Sequence, residues 1–444
     1  RALPGKGIPA ITLSDGPNGV RKQAGAADHL GLNPSVPATC FPTSSATACS
    51  WDEKLGEAVG EALGEEAAAQ EVAVLLGPGL NIQRSPLCGR DFEYFSEDPI
   101  LAGRMAAAYV RGIQKNGISA CPKHFAVNSQ ELRRMASDSV LDERTLRELY
   151  LTGFEIVVKE AKPKTIMTSY NLINGTYANE NAHLLQDILR KDWGFDGAVV
   201  TDWGGSNDHA LGVKNGSTLE MPCPGGDSIR ELMKAVQGGK ISEADVDARL
   251  DEMLELVLST HAAVEKAPRT FDAAAHHKLA RRAAAESIVL LRNEGGILPL
   301  KPNEKLAVIG DFAETPRYQG AGSSAVNALQ VDTLLDCIKA DDSGITFVGY
   351  ASGFERQGAA DAEKLEEAVA LAKKADTVLL CLGLDELRES EGLDRSDMKL
   401  AENQQRLLAA VAAVNPNVVV LLSAGAPVET PWAGQCRALV YGAL

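Results

Sequence analysis

The feature that most constrains the fold of this chain is the alternation of short, apolar, β-branched runs with longer amphipathic helices. Ala198, Val199 and Val200 form one such run, which predicts a strand that is buried on both faces. Residues with helical spacing separate each run from the next. Because strands connected through helices cross over and lie parallel, the sequence predicts an α/β fold.

The alternation lapses once, between residues 261 and 278, where Pro268 interrupts the pattern. Before this break the strands and helices predict a (β/α)8-type, TIM-like barrel of seven or eight units. After it, a helix over residues 273–291 and a fresh series of strands predict an open sheet between helices, an α/β sandwich. We therefore expect a barrel domain at 1–260, a linker at 261–278 and a sandwich domain at 279–444.

A polar side chain follows nearly every predicted barrel strand. A single residue of this kind is as consistent with a helix cap or a satisfied core group as with a functional role. Several of them on one barrel are more informative, because the carboxyl ends of parallel barrel strands meet at one rim. The set therefore predicts a binding site formed by Asp15, Arg90, Lys123, His124, Tyr170 and Asp202.

The second domain contains a candidate loop of its own. The predicted strand at residues 377–382 runs into an acidic segment that holds Glu389 and Glu391. Charged loops are usually only solvated, but this one leaves the carboxyl end of a buried strand, where open α/β sheets place their ligands. It could supply the second carboxylate of a two-carboxylate reaction, and the residue chemistry alone does not choose between the two glutamates.

Composition narrows the class of partner. The chain has 60 Asp and Glu against 44 Lys and Arg, a net charge of −16, which disfavours nucleic acid and anionic membrane surfaces as partners. No metal-ligand spacing or nucleotide-binding glycine motif occurs, so we expect neither a metal nor a cofactor. No signal peptide opens the chain, which predicts a cytoplasmic location. Because Arg1 is not an initiator Met, the alternative that a leader peptide has been removed is left open.

Seven segments resemble motifs of glycoside hydrolase family 3, whose best-known members are β-glucosidases. They occur in the family's order and together extend over nearly the whole chain. Each segment alone is moderately specific, whereas the ordered set is highly specific. They lie at residues 14–21 (SDGPNGVR), 89–99 (GRDFEYFSEDP), 123–128 (KHFAVN), 167–171 (MTSYN), 201–203 (TDW), 322–324 (GSS) and 390–395 (SEGLDR).

The resemblance implies a retaining mechanism with two catalytic carboxyl groups. Asp202 would be the nucleophile, and Glu391, directly before Gly392, would be the general acid/base. Two such groups are expected to lie about 5 to 5.5 Å apart in the closed enzyme. The resemblance also implies that the sugar hydroxyls bind Asp15, Arg90, Lys123, His124, Arg134 and Tyr170, and that Met167, Trp203 and Ser323 line the same site.

Neighbouring charges lead to an expectation about the two carboxyl groups. Lys123 and Arg90 should keep Asp202 ionised, whereas the many acids around Glu391 should favour a proton on that side chain. An ionised nucleophile and a protonated acid are the states that the first step of retaining hydrolysis requires.

The resulting prediction is an exo-acting, retaining β-glucosidase whose partner is a small-molecule or oligosaccharide β-glycoside. A β-xylosidase is the alternative within the family, and Asp15 favours glucose because a pentose has no 6-hydroxyl group. A Schiff-base lyase that uses Lys123 is the alternative from another enzyme class, but it would leave Asp202 and the Glu391 loop without a role.

Both ends of the chain depart from the family pattern. The chain begins at the first barrel strand, and Leu444 comes before the sandwich would be complete. We therefore expect the strand at Ala438–Tyr441 to be an uncovered sheet edge, which would favour a homo-oligomer or a completing fragment of the same protein.

Overall fold

A computed structural model describes residues 2–25, 33–358 and 360–444 of the chain. Its first half is built of short strands surrounded by helices. The strands are β1 (Leu13–Asp15), β2 (Val74–Leu76), β3 (Ser119–Ala120), β4 (Asp138–Ser139), β5 (Thr165–Met167), β6 (Leu172–Ile173), β7 (Thr176–Tyr177) and β8 (Ala198–Val200). The helices are α1 (Ser44–Ala48), α2 (Glu53–Ala69), α3 (Pro99–Gln114), α4 (Glu143–Thr145), α5 (Thr152–Ala161), α6 (His209–Asn215), α7 (Asp227–Gln237) and α8 (Glu243–Lys266), with π-helical segments at Leu146–Tyr150 and His183–Asp192.

The barrel strands form one parallel series. β1, β2 and β3 pair in that order, and β5 pairs with β8. A parallel bridge between Phe125 and Thr168 joins the two groups, and a bridge between Val200 and Leu219 adds a further position. Because all of these segments run in one direction, the residues that follow them lie at one rim.

The number of strand positions is smaller than the seven or eight predicted units. Within the part of the chain that the structure describes, the series runs through six positions, from β1 to the bridge at Leu219. The helices α7 and α8 then follow each other with no strand assigned between them. The five residues that separate them include only one β-branched apolar residue, Ile241, which is too little for a buried strand.

Small residues bring the helices of the barrel close together. A Cβ atom at Gly60 of α2 would lie 2.4 Å from the Tyr109 carbonyl oxygen of α3, and one at Gly112 would lie 2.2 Å from the Glu57 carbonyl oxygen. The two helix backbones are therefore in direct contact, and their apolar faces pack on the strands in one continuous core. This packing fixes the strand ends that carry the candidate site.

The second half of the chain contains a six-stranded sheet. Its strands are β9 (Val289–Asn293), β10 (Lys305–Ile309), β11 (Thr346–Ala351), β12 (Thr377–Gly383), β13 (Val418–Ser423) and β14 (Ala438–Tyr441). The spatial order is β11-β10-β12-β13-β14-β9, and every pairing is parallel except that of β14 with β9. The helices of this half are α9 (Ala273–Ser287), α10 (Leu334–Lys339), α11 (Ala362–Ala372) and α12 (Glu402–Ala412).

The expectation of an uncovered edge at β14 is wrong. The helix predicted over residues 273–291 ends at Ser287, and the next residues form β9, which pairs antiparallel with β14. The segment from Ile288 to Leu291 is apolar with two β-branched residues, so it suits a strand better than the last turn of a helix. Since β14 has a neighbour on both sides, this edge gives no reason to expect a completing fragment.

The predicted linker at 261–278 is largely helical. The helix α8 continues to Lys266, and α9 begins at Ala273. Ala280 and Ala283 of α9 belong to the apolar core of the barrel, although both residues fall in the predicted sandwich domain. The domain limits at 260 and 279 stay predictions, and by packing the barrel core extends into α9.

Candidate active site

The rim of the barrel brings together four side chains that the sequence singled out. Asp15 is the last residue of β1, and Asp202 follows β8 after Thr201. Lys123 Nζ lies 3.2 Å from Asp15 Oδ1, and His124 Nε2 lies 3.6 Å from Asp202 Oδ2. The predicted convergence of strand-end polar groups is therefore observed.

Asp202 is held in a defined orientation. Its Oδ1 accepts a hydrogen bond from the Trp203 backbone N–H at 2.7 Å, while Oδ2 faces His124. Burial raises the pKa of Asp202 above its usual value, and the negative charge of Glu391 adds to the rise, whereas Arg90 and Lys123 oppose it. Oδ2 accepts no hydrogen bond from protein and is thus the oxygen available to a reacting group.

His124 is a neutral imidazole in this site. Burial and the cations Arg90 and Lys123 hold the pKa of His124 well below its usual value. Its Nδ1 lies 3.2 Å from the Tyr94 hydroxyl group, and its backbone is fixed by two hydrogen bonds with the Asn81 side chain. If Tyr94 donates to Nδ1, the hydrogen of the neutral ring is on Nε2 and points toward Asp202 Oδ2, at a distance too long for a hydrogen bond.

Lys123 is a buried cation. Its side chain is 2% exposed, and Nζ lies 3.2 Å from Asp15 and 3.5 Å from Glu93. Burial alone would lower the pKa of Lys123, but the two carboxylates outweigh burial and raise the pKa above its usual value. The amine is therefore protonated at neutral pH.

The second candidate carboxylate reaches the barrel rim from the sandwich loop that follows β12. Glu391 Oε1 lies 2.9 Å from Arg134 Nη1 and 3.6 Å from Arg90 Nη1. Its Oε2 accepts a hydrogen bond from the Ser323 backbone N–H at 2.7 Å. Asp202 and Glu391 are close enough for the charge on Glu391 to affect the pKa of Asp202. The two halves of the chain therefore contribute one carboxylate each to the same mouth.

The expectation of a proton on Glu391 is wrong. Burial would raise the pKa of Glu391, but Arg90, Arg134 and the Ser323 N–H outweigh it and lower the pKa well below its usual range. The pKa of Asp202 moves the other way because that group is buried. The sequence suggested acids around Glu391, whereas the fold surrounds its carboxylate with two guanidinium groups.

Glu389 faces away from this mouth. Its carboxylate is 1% exposed, accepts a hydrogen bond from the Gly425 N–H at 2.7 Å and lies 3.5 Å from Arg317 within the sandwich. Of the two glutamates that the sequence left open, only Glu391 contacts the barrel residues Arg90 and Arg134 in the described part of the chain.

Arg134, Tyr170 and Trp203 line one side of the mouth. The Arg134 guanidinium carbon lies 4.8 Å from the centre of the Tyr170 ring, and the Tyr170 hydroxyl donates to the Trp203 carbonyl oxygen at 3.0 Å. Trp203 is 37% exposed, which is unusual for a tryptophan.

Met167 and Ser323 have less direct positions than the resemblance implied. Met167 is 3% exposed and belongs to a small apolar cluster with Val74, Cys121 and Val200, so it lies beneath the polar residues. Ser323 contacts Glu391 through its backbone N–H. Both lie near the site, and their contact with a sugar stays a prediction.

The sequence analysis did not single out several residues that hold the predicted site residues in place. Glu93 pairs with Arg90 at 2.7 Å and with Lys123 at 3.5 Å, and its side chain is 1% exposed. Glu131 pairs with Arg134 at 2.7 Å. The i,i+3 spacing of acid and arginine in both pairs was visible in the sequence. Tyr94, Asn81 and Asp394 gave no comparable signal, because their partners are distant in sequence.

A metal site is not formed by the described residues, in which no group of three or more His, Cys, Asp or Glu side chains is arranged to hold a metal ion. In the same part of the chain, no helix combines the length and apolar character needed to cross a membrane.

Comparison with known proteins identifies the family to which this chain belongs. The profile of the glycosyl hydrolase family 3 N-terminal domain matches residues 25–256, and that of the C-terminal domain matches residues 288–444. The chain belongs to glycosyl hydrolase family 3. The first profile contains Asp202 and the second contains Glu391, in agreement with a mouth formed by both domains.

Relatives in this family match almost all of the chain. Thermostable beta-glucosidase B of Acetivibrio thermocellus is 46% identical over 437 residues, which cover 98% of the chain and 58% of that protein. An exo-alpha-(1->6)-L-arabinopyranosidase of Bifidobacterium longum is 44% identical over 447 residues, with the same two coverages. The chain thus spans 58% of the length of these two relatives.

Two solved family 3 structures confirm the fold class, a TIM-like barrel followed by an α/β sandwich. The β-glucosidase of Bifidobacterium adolescentis superposes with a TM-score of 0.93 at 43% identity and covers 100% of this chain and 64% of that one. The β-glucosidase 3B of Thermotoga neapolitana, solved in complex with α-D-glucose, gives a TM-score of 0.89 at 34% identity, with coverages of 100% and 66%.

Gly322 offers a test of how closely Glu391 is held in this family 3 chain. A Cβ atom at Gly322 would lie 2.4 Å from Glu391 Cβ and 2.8 Å from its Oε2, and φ of Gly322 is +125°. Gly322→Ala should therefore displace the Glu391 carboxyl group. On the sequence prediction of a β-glucosidase, kcat/KM for an alkyl β-glucoside should fall about 100-fold, the size of effect that a misplacement of about 1 Å can have.

Gly434→Ala is the matched control for this substitution. Gly434 lies in the same domain, has no atom within 4 Å of an added Cβ and has no positive φ. It should leave kcat/KM unchanged. Wild-type activity of Gly322→Ala would show that the position of Glu391 is not critical.

Proposed function

We propose that this chain carries the active site of a retaining, exo-acting β-glucosidase. The observation that carries the proposal is the meeting of two carboxylates from different domains, Asp202 of the barrel and Glu391 of the sandwich loop, in one mouth lined by cations. Retaining glycosidases require two carboxyl groups on opposite sides of the scissile bond. The names of the glucosidase relatives support glucose as the sugar.

The proposed reaction has two steps. In the first, Asp202 Oδ2 attacks the anomeric carbon, the bond to the glycosidic oxygen breaks, and Glu391 donates a proton to that oxygen as the aglycone leaves. In the second, Glu391 takes a proton from water, which attacks the anomeric carbon and releases glucose and the Asp202 carboxylate. Arg90 and Arg134 lower the pKa of Glu391, which favours the ionised form that the second step needs. Glu391 must therefore take up a proton as the substrate binds before it can act as the acid of the first step.

The charged side chains around Asp202 are proposed to bind the sugar hydroxyl groups. Asp15 and Lys123 form one pair, and Arg90 with Arg134 forms a cationic side near Glu391. His124 places its Nε2 beside Asp202, where the 2-hydroxyl region of a sugar would lie during attack. Arg90, Lys123 and His124 are buried, and all of these groups are fixed by partners, so they are preorganised for a polar, neutral ligand.

A panel of aryl glycosides tests the proposed sugar. The relatives do not favour the β-xylosidase alternative. One relative is named for α-L-arabinopyranosides, so the panel should contain nitrophenyl β-D-glucoside, β-D-xyloside and α-L-arabinopyranoside. The highest kcat/KM is expected for the β-D-glucoside. A higher value for either other sugar would replace glucose in the proposal.

The Schiff-base lyase alternative is disfavoured by the state of Lys123. A Schiff base requires a free amine, but Asp15 and Glu93 raise the pKa of Lys123 and keep it charged. Borohydride treatment in the presence of carbonyl compounds is therefore expected to leave Lys123 unmodified. A mass increase on the peptide that contains Lys123 would revive this alternative.

Assembly and location stay at the level of prediction. A homo-oligomer is tested by light scattering of the purified chain, and a cytoplasmic location is tested by fractionation of the source cells. Neither property enters the proposed reaction, because both carboxylates belong to the same chain.

A further inference from the structure

We propose that Glu131 and Asp394 form a two-way latch that positions Glu391 over the barrel mouth. Glu131 belongs to the barrel half of the chain, and Asp394 belongs to the sandwich loop that carries Glu391. Each carboxylate binds backbone of the other domain, so the loop is held from both sides. The catalytic part of this inference rests on the proposed function, because it assigns the latch to the same reaction.

Asp394 fastens the loop to the barrel. Its Oδ1 accepts hydrogen bonds from the backbone N–H groups of Gly89 at 3.1 Å and Glu131 at 3.0 Å. Its Oδ2 accepts from the N–H groups of Glu131 at 3.0 Å and Leu132 at 2.8 Å. Three barrel N–H donors thus converge on the Asp394 side chain, and hydrogen bonds to a charged acceptor are stronger than neutral ones.

Glu131 fastens the barrel to the loop in return. Its Oε2 accepts the backbone N–H of Gly392 at 2.8 Å, and Gly392 is the residue next to Glu391. The same oxygen accepts from Arg134 Nη1 at 2.7 Å, and Arg134 Nη1 also lies 2.9 Å from Glu391 Oε1. The side chain of Glu131 is 1% exposed, so its carboxyl group is shielded from solvent.

The sandwich loop that carries Glu391 packs so closely on the barrel that both backbones have little freedom to move at the latch. A Cβ atom at Gly89 would lie 1.7 Å from the Leu393 carbonyl oxygen and 2.4 Å from that of Ser390. The N–H of Arg395 also donates to the Leu87 carbonyl oxygen at 2.8 Å. The loop backbone therefore rests directly on the barrel loop that carries Arg90, and the latch fixes the register of this contact.

Glu131 and Glu391 share the guanidinium group of Arg134, so Glu131 also affects the charge balance around Glu391. When Glu391 holds a proton, Arg134 loses its ionised partner at Oε1 but keeps the carboxylate of Glu131. Arg134 then remains a paired cation while Glu391 changes charge twice in each turnover. Glu131 and Asp394 touch no reacting atom in this scheme, so we assign them as positioning residues.

The test compares two substrates whose dependence on the acid differs. A loosened loop should impair proton delivery, which matters for an alkyl β-glucoside but not for 2,4-dinitrophenyl β-glucoside, whose phenolate departs unprotonated. For Asp394→Asn and Glu131→Gln we expect kcat/KM on the alkyl glucoside to fall about 10- to 100-fold. On the dinitrophenyl substrate the first step needs no acid, but hydrolysis of the glycosyl-enzyme intermediate still needs Glu391 as a base and becomes slow. The intermediate then accumulates, so kcat and KM should fall together and kcat/KM should be almost unchanged.

Two controls separate positioning from lost stability. Asp397→Asn alters an acid of the same loop whose contacts, Lys399 N–H at 2.8 Å and Arg388 at 3.5 Å, stay within the loop. Glu66→Gln alters a buried barrel glutamate whose partners, the Thr39 N–H and His276, contact neither Glu391 nor Arg134 in the described part of the chain. Neither control should discriminate between the substrates. Equal losses on both substrates in the latch variants would overturn the proposal.

Hydrogen–deuterium exchange tests the latch without relying on activity. In the full 444-residue chain, amide exchange of a peptide that covers residues 389–395 should be faster in Asp394→Asn and Glu131→Gln than in wild type and both controls. Unchanged exchange would overturn the latch even if the wild type is an active β-glucosidase. If the wild type hydrolyses no glucoside but exchange increases as expected, the proposed function fails and the latch stands as an interdomain contact.

Discussion

Replacing Asp202 by Asn should lower kcat/KM for aryl β-glucosides by a factor on the order of 10⁴ or more. The amide has nearly the same shape as the carboxylate but cannot attack the anomeric carbon. The hydrogen bond from the Trp203 N–H to Oδ1 can be kept by the amide oxygen, so the local backbone should be preserved. The loss should therefore appear in turnover with little change in the circular dichroism spectrum or the melting temperature.

A covalent label identifies the nucleophile independently of this substitution. A 2-fluoro-glucoside with a good leaving group should form a stable glycosyl-enzyme, and mass spectrometry of the digest should place the label on Asp202. Asp196→Asn is the matched control, because Asp196 lies just before the same strand and is exposed. Label on any other carboxylate would refute the assignment of Asp202.

Replacing Glu391 by Ala should lower kcat/KM for alkyl glucosides about 10²- to 10⁴-fold, the usual contribution of a general acid. The same substitution should spare kcat/KM for dinitrophenyl glucoside, since that leaving group needs no proton. Hydrolysis of the intermediate should become slow because water no longer has a base. Added azide should then raise kcat by attacking the anomeric carbon directly, and glucosyl azide should be detected as the product.

Glu389→Ala is the control that separates the two neighbouring glutamates. Glu389 is bound to the Gly425 N–H and to Arg317 inside the sandwich, so its loss leaves Arg317 without a buried carboxylate. We expect a lower melting temperature and no dependence on leaving group. Azide rescue in Glu389→Ala and not in Glu391→Ala would exchange the two roles.

The positions of the candidate site residues at the barrel rim could largely be predicted from the sequence. Asp15 and Asp202 each follow a short apolar run, and the run predicts both the strand and the rim to which it delivers its next residue. The fold class followed from the same alternation. These features are local, so they can be read without knowledge of which strands are neighbours.

The features that could not be predicted depend on contacts between distant segments. The acidic loop around Glu391 suggested a proton on that group, but Arg90 and Arg134 come from the barrel and reverse the effect. The strand β9 looked like the end of a helix, because its partner β14 lies at the other end of the sandwich. Asp394 binds three backbone N–H groups, which carry no sequence signal at all.

The position of β9 also bears on how the sandwich is assembled during synthesis. Val289 of β9 pairs with Tyr441 of β14, so two neighbours in the sheet lie 152 positions apart in the sequence. Contacts of such long sequence separation form late, because the entropy of loop closure must be overcome before they add stability. While the ribosome is still producing the intervening strands, Leu290 and Leu291 have no strand to pair with. The backbone N–H and C=O groups on this side of β9 therefore stay without a strand partner until β14 has been synthesised.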